Sequence, residues 1–216
     1  MKWLKIVLFL YITITKYADC KNYTKHKRWE QISNQRIFSV SGLVHHKNGF
    51  LIVHDNKRDN QPRISFFKNN KISPLIWPDS SLPYDLEAIS TIPSFKNQYI
   101  LMESTGKCYK IKIEQRNNQI TLMNIFQLET NEDMNLEGCI IVKGNFGYKI
   151  MYGDRGSDLR KSTLFIGDFN PVNNNITNLV KHIIDLPAPS EHKRNIADLG
   201  IDKKNNLWTS ATSDPG

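Results

Sequence analysis

Long apolar runs are what this chain of 216 residues most lacks. Beyond its first twenty positions, no stretch approaches the length that a membrane-spanning helix requires. Cysteine is nearly as scarce, at three. There is no Cys-x-x-Cys and no close histidine partner, which excludes the common zinc frameworks. No Gly-x-Ser-x-Gly elbow and no P-loop occur, so neither a serine hydrolase of that type nor a P-loop nucleotide enzyme is indicated. Gly153-Asp154-Arg155-Gly156 has too few constraints for a nucleotide loop. No element alternates basic and aromatic residues, so nucleic-acid binding is not expected despite a formal charge of +8. The lysines are scattered, often beside Asn in turns, and read as compositional bias more readily than as a patch for anionic ligands.

The first twenty residues differ from the rest. Lys2 and Lys5 flank Trp3, an apolar stretch runs from Ile6 to Ile14, and Ala18-Asp19-Cys20 closes the segment. A charged start, a short apolar middle and a small-residue exit make residues 1–20 an expected signal peptide, with cleavage before Lys21. An uncleaved anchor and a lipid-modified Cys20 are the alternatives. The expected destination is secreted or periplasmic, with no transmembrane domain once the signal is removed. Only Cys108 and Cys139 then remain, and a disulfide between them and two buried thiols are both open.

After a polar leader at 21–36, a phrase recurs through 37–216. Ser41-Gly42-Leu43, Glu87-Ala88-Ile89, Glu137-Gly138-Cys139 and Asp198-Leu199-Gly200 are each followed by an apolar strand that ends near an acid. Between successive copies lie four predicted strands. Blade one reads Phe38–Val44, Phe50–His54, Arg63–Phe67 and Lys71–Ile76. Blade two reads Leu86–Ile92, Gln98–Glu103, Cys108–Glu114 and Ile120–Leu128. Blade three reads Leu136–Val142, Tyr148–Asp154, Thr163–Phe169 and Ile176–Asp185. The outer hairpins turn on Asn69-Asn70, Asn117-Asn118 and Asn173-Asn174-Asn175, and a fourth unit turns on Asn205-Asn206. Asn tolerates the left-handed backbone that such hairpins need. Four strands in roughly 45–60 residues point to an all-β fold, a β-propeller of four-stranded antiparallel blades. A β-sandwich also suits regular strands but does not explain a start phrase at every fourth one. About three and a half blades are present, an incomplete ring, so the chain is expected to be a fragment, monomeric at full length. Trp77 and Trp208 are expected in blade packing.

In a propeller the first strand of a blade starts where the second ends. Glu87, Glu137 and Asp198 are therefore expected on one channel face with Asp55, Glu103 and Asp154. Glu87 and Glu137 are the secure members, because a one-residue slip would turn the strand-end acids away. Clustered carboxylates can hold Ca²⁺, with Glu87 and Glu137 as ligands, or act as general acid and base. Arg58, Arg155 and Arg160 could orient a phosphate or carboxylate. The structural alternative is that such acids cap amides or pair with cations to dock blades.

Tyr84-Asp85-Leu86-Glu87-Ala88-Ile89 and Asn135-Leu136-Glu137-Gly138-Cys139-Ile140 resemble the blade openings of the phytase-like propeller family, labelled for esterase-like activity of phytase and rich in exported bacterial proteins. The first and fourth copies match more loosely, with Ser41 in place of the Glu. The resemblance implies a propeller over about 38–216. It also implies, as one reading, a Ca²⁺-assisted hydrolase of phosphate or carboxylate esters using Glu87, Glu137, Asp154 and Arg155. The dense Ca²⁺-binding clusters of true alkaline phytases do not map onto this chain. The other reading is a binding or interaction module whose acidic face takes a small ligand, metal or protein.

Overall fold

The computed structural model describes residues 31–114, 116–157, 160–185 and 195–212. The chain divides into two compact units, Met1–Ile32 and Ser33–Gly216, and the fold described here is that of the second. The expected signal peptide and residues 21–30 of the leader lie outside the described residues.

Three sheets of four antiparallel strands and one of two follow one another along the chain. The first holds β1 (Gly42–His46), β2 (Gly49–Val53), β3 (Ile64–Lys68) and β4 (Lys71–Pro74). The second holds β5 (Leu86–Thr91), β6 (Gln98–Glu103), β7 (Lys107–Ile113) and β8 (Ile120–Gln127). The third holds β9 (Leu136–Gly144), β10 (Gly147–Asp154), β11 (Ser162–Asn170) and β12 (Asn175–Ile184). Strands β13 (Asn195–Ile201) and β14 (Leu207–Thr212) pair as a hairpin. In every sheet the spatial order is the chain order. The first strands β1, β5, β9 and β13 pack in series, each against the next. Up-and-down sheets docked through successive first strands are the blades of a β-propeller, with three four-stranded blades and the hairpin of another among the described residues.

The sequence forms these elements for local reasons. Asn69 (φ 50°) and Asn70 (φ 57°) make the two-residue turn of β3–β4, and Asn118, Asn174 and Asn205 also adopt positive φ. Phe38, expected to open the first strand, lies instead in a 3₁₀ turn, Arg36–Phe38. The reason is tertiary: the Arg36 guanidinium is drawn to Asp55 in a two-pronged ion pair at 2.7 and 2.8 Å.

The core lies between blades as three apolar layers. Strand β6 shows how one sequence serves two of them. Tyr99 and Leu101 face the first blade with Leu51, Val53 and Ile64, while Ile100 and Met102 face the third with Tyr152 and Phe165. Burial on both faces removes polar alternation, so a central strand reads as a continuous apolar run. Ile140, Leu164, Ile196 and Leu199 form the third layer. The small residue of the repeated phrase has a packing cause. A Cβ on Gly138 would stand 2.6 Å from the Leu199 backbone nitrogen, and one on Gly42 would stand 3.0 Å from that of Ile89. Only a residue with little or no side chain lets neighbouring first strands come this close. Serines then staple the blades. Ser41 donates to the Leu86 carbonyl at 2.5 Å, while the Ser90 and Ser162 hydroxyls accept from the Ile141 and Ile196 amides.

Trp77 packs edge-on against Tyr109 as blade packing requires, but Trp208 is 63% exposed. Of the two readings left open for the cysteines, the structure has the buried thiols. Cys108 and Cys139 are free thiols on neighbouring blades, buried in the apolar layer between them, where burial pushes both thiols up in pKa. No helix among the described residues is long and apolar enough to cross a membrane.

Candidate functional site: the channel mouth

The strand directions gather first-strand starts and second-strand ends at one end of the propeller. There Leu86 pairs with Glu103, Leu136 with Asp154, and Gly42 with Val53. A β-bulge interrupts each later copy. In blade two the pairing passes from Leu86–Glu103 to Ala88–Met102 and leaves Glu87 as the extra residue. In blade three it passes from Leu136–Asp154 to Gly138–Gly153 and leaves Glu137. In the fourth copy the extra residue is Ala197, one place before Asp198. Bulges re-aim side chains at strand ends, and here they set two of the acids apart from the ladder.

The strand-end residues do different work. Counting from the paired small residues, His54, Glu103 and Asp154 occupy one position, and Asp55 falls one residue beyond it. All three are buried, and each fastens the chain segment arriving for its blade. Glu103 Oε1 accepts from the Tyr84 amide at 2.8 Å and from the Tyr109 hydroxyl at 2.5 Å. Asp154 Oδ1 accepts from the Asn135 amide at 3.2 Å and the Gly156 amide at 3.3 Å, with the Arg160 guanidinium on the same carboxylate. His54 donates from Nδ1 to the Ser39 carbonyl at 2.8 Å, which leaves Nε2 to accept from the Ser65 hydroxyl at 2.8 Å. That hydroxyl–imidazole–carbonyl chain has a catalytic look. Both side chains are 0% exposed, however, so no substrate reaches them. Glu103 and Asp154 are thus latches rather than open channel acids. Asp55 is held by Arg36 and by the Ser39 hydroxyl, and Arg36 lowers its pKa.

Glu87 is the exception. It is half-buried and makes no hydrogen bond or ion pair among the described residues. Burial first, and then the charges of Glu137, Asp85 and Asp55, raise its carboxyl to about 9 against the opposing Lys57. Glu137 accepts from the Asn135 side-chain amide at 3.1 Å and pairs with Arg155 at 3.3 Å. Burial raises it to about 7, with Arg155 restraining the rise. The order of ionisation follows. Glu137 loses its proton first, beside a guanidinium, and its charge helps keep Glu87 protonated at neutral pH. Asp198 is exposed to solvent on one side, while the protein on its other side raises its carboxyl.

Of the three arginines expected to orient an anion, Arg155 is committed to Glu137, Arg160 to Asp154, and Arg58 is exposed away from any acid partner among the described residues. Asp85 was not among the candidates, although it stands two places before Glu87. It adopts φ 58°, accepts from the Ser104 hydroxyl at 2.9 Å and pairs with Lys57 at 3.0 Å. An acid so close to the repeated Glu was the available signal. Ca²⁺ requires six to eight oxygens. Among the described residues no three His, Cys, Asp or Glu side chains converge as a ligand set, and Arg155 already occupies Glu137. The mouth residues present do not fit that ion.

No family model and no curated protein matches the chain. Among solved structures it is similar to the WD40 domain of Neurospora crassa Pan2, at 13% identity and a TM-score of 0.45, over 82% of this chain and 46% of that one. It is also similar to a Lactobacillus plantarum protein, at 10% identity and a TM-score of 0.47, over 81% of this chain and 64% of that one. The chain thus spans less than two thirds of either structure's length. The propeller assignment rests on this chain's own serial packing of first strands.

Proposed function

We propose that this protein is a binding module whose channel mouth takes a positively charged group, an amine or guanidinium on a small ligand or on a protein segment, between Glu87 and Glu137. The observation that carries this reading is Glu87, a half-buried carboxyl that lacks a hydrogen bond or ion pair among the described residues and stands beside a second raised carboxyl. An incoming cation would supply the opposite charge that favours ionisation of both acids. Because Glu87 holds its proton to about pH 9, binding releases a proton and tightens as pH rises from 7 to 9.

The test is thermal unfolding with spermidine, and separately with Ca²⁺, at pH 7 and pH 9. Stabilisation by spermidine that grows with pH and disappears in Glu87→Gln supports the site, and no shift at either pH overturns it. Stabilisation by Ca²⁺ alone, with ester hydrolysis lost in Glu137→Gln, would favour the phytase-like hydrolase reading instead. That reading keeps Glu87 and Glu137 at the mouth but has Asp154 committed to its latch.

A further inference from the structure

The opposite end of the propeller carries the opposite charge. All the two-strand hairpins turn there: β1–β2, β3–β4, β5–β6, β7–β8, β9–β10, β11–β12 and β13–β14. The acids at this end are tied down. Glu114 pairs with Lys112 at 3.0 Å and Asp168 with Lys149 at 2.6 Å. Asp202 accepts from the Lys204 and Asn206 amides of its own turn. Lys96, Arg116, Lys203 and Lys204 are exposed and make no ion pair among the described residues. Lys47 donates to the Asn118 side chain at 2.7 Å, and Lys143 donates to the Ser94 hydroxyl at 3.2 Å and lies over the Tyr148 ring. Lys96, Asn97, Lys112, Glu114, Arg116 and Asn117 line an open cleft of about 600 Å³, in which the single carboxylate, Glu114, is already paired with Lys112. Two apolar side chains project from turns of this end on blade three. Phe146 is fully exposed and Val172 is 78% exposed.

We propose that this hairpin end docks on an anionic lipid surface. Headgroup phosphates would enter the Lys96–Arg116 cleft, and Phe146 and Val172 would enter the boundary of the acyl chains. Cations alone would serve any polyanion. The projecting apolar tips favour a lipid, because surface binding grows with buried apolar area as well as with charge attraction. Screening confines the electrostatic part to the cations nearest the surface, and those are the ones in the turns.

Sedimentation with vesicles tests this, comparing neutral phosphatidylcholine with vesicles that also contain phosphatidylglycerol. The apolar stretch at Ile6–Ile14 would enter either vesicle, so the readout is the ratio of the two affinities. The expected ratio is about a hundredfold or more and falls as salt rises. It drops by about fivefold per cation removed in Lys96→Gln with Arg116→Gln. Phe146→Ser lowers affinity for both vesicles by about tenfold, what burying one apolar side chain contributes. Arg58→Gln, at the acidic end, leaves the ratio unchanged, and unaltered unfolding temperatures establish that the variants are folded. Equal binding to both vesicles overturns the proposal, and so does an equal loss in Arg58→Gln, which would mean attraction to net charge alone. Binding of inorganic polyphosphate by wild type and Phe146→Ser alike, without preference for anionic vesicles, would assign the end to soluble polyanions and overturn it as well.

Discussion

Two rows of polar residues run around the same end of this propeller, one step apart in the pairing of first and second strands, and they behave differently. The latch row, His54, Glu103 and Asp154, is buried and saturated with hydrogen bonds. The mouth row, Glu87, Glu137 and Asp198, is only partly covered, and its pKa values are raised. A carboxylate that receives amide and guanidinium donors on folding stabilises the native state. One that is desolvated without such donors opposes it, unless a ligand supplies the missing charge. The comparison separates structural acids from available ones on physical grounds, where residue type alone cannot.

The largest effect should come from the latches. Asp154→Ala leaves Arg160 and two backbone amides without their acceptor, and breaking such a buried pair costs about 3–5 kcal/mol. Urea unfolding should show this loss, and a change below about 1 kcal/mol would mean that the latch row is not structural. Glu103→Ala should follow, through the orphaned Tyr109 hydroxyl and Tyr84 amide.

The mouth row should move the other way. Glu87 has a folded pKa raised from 4.5 to about 9. Its contribution to stability is therefore fully present below pH 4.5 and declines as pH rises toward 9. Glu87→Gln removes the group that must ionise. The variant should stay close to wild type near pH 5 and unfold at a higher temperature near pH 9, with the margin widening steadily between the two. An unchanged difference across that range would place Glu87 in the latch class.

Smaller effects sharpen the boundary between the rows. Ser41→Ala, which loses the hydroxyl bond to the Leu86 carbonyl, should cost about 1 kcal/mol in thermal unfolding. Arg155→Gln should shift the Glu137 titration above its present value of about 7, followed by carboxyl NMR, since a restraining cation is gone. An unmoved titration would show that Arg155 does not reach Glu137 in solution. Arg58→Gln should change stability by less than about 0.5 kcal/mol.

Much of the architecture was legible because its causes are local. Asn69-Asn70 announced a hairpin, the Glu-Ala and Glu-Gly starts announced repeating first strands, and the apolar run Tyr99–Met102 announced a central one. The 3₁₀ turn at Arg36–Phe38 was not legible, since Asp55, which draws Arg36 in, lies far along the chain. The candidate acids were legible by position and not by state. Glu87 and Glu137 stood out as repeated acids at strand starts. Nothing local distinguished Glu87, with no ion pair, from Glu137, beside Arg155, or Glu103, beneath Tyr84. The choice between a disulfide and two buried thiols stayed open for a related reason. Spacing says when two cysteines are in reach, whereas their depth in an apolar layer and the orientation of two blades decide whether they bond.

By itself, then, the sequence determined the strand order, the turns, the period of the repeat and which acids begin each copy. These follow from backbone preferences and from apolar alternation over a few residues. Only the tertiary structure decided which carboxylates are latched and which are open, because a one-residue bulge and the approach of a neighbouring blade set each acid's partners. Ionisation is decided by those partners and by lost water, and both are supplied by residues that lie far away in the chain.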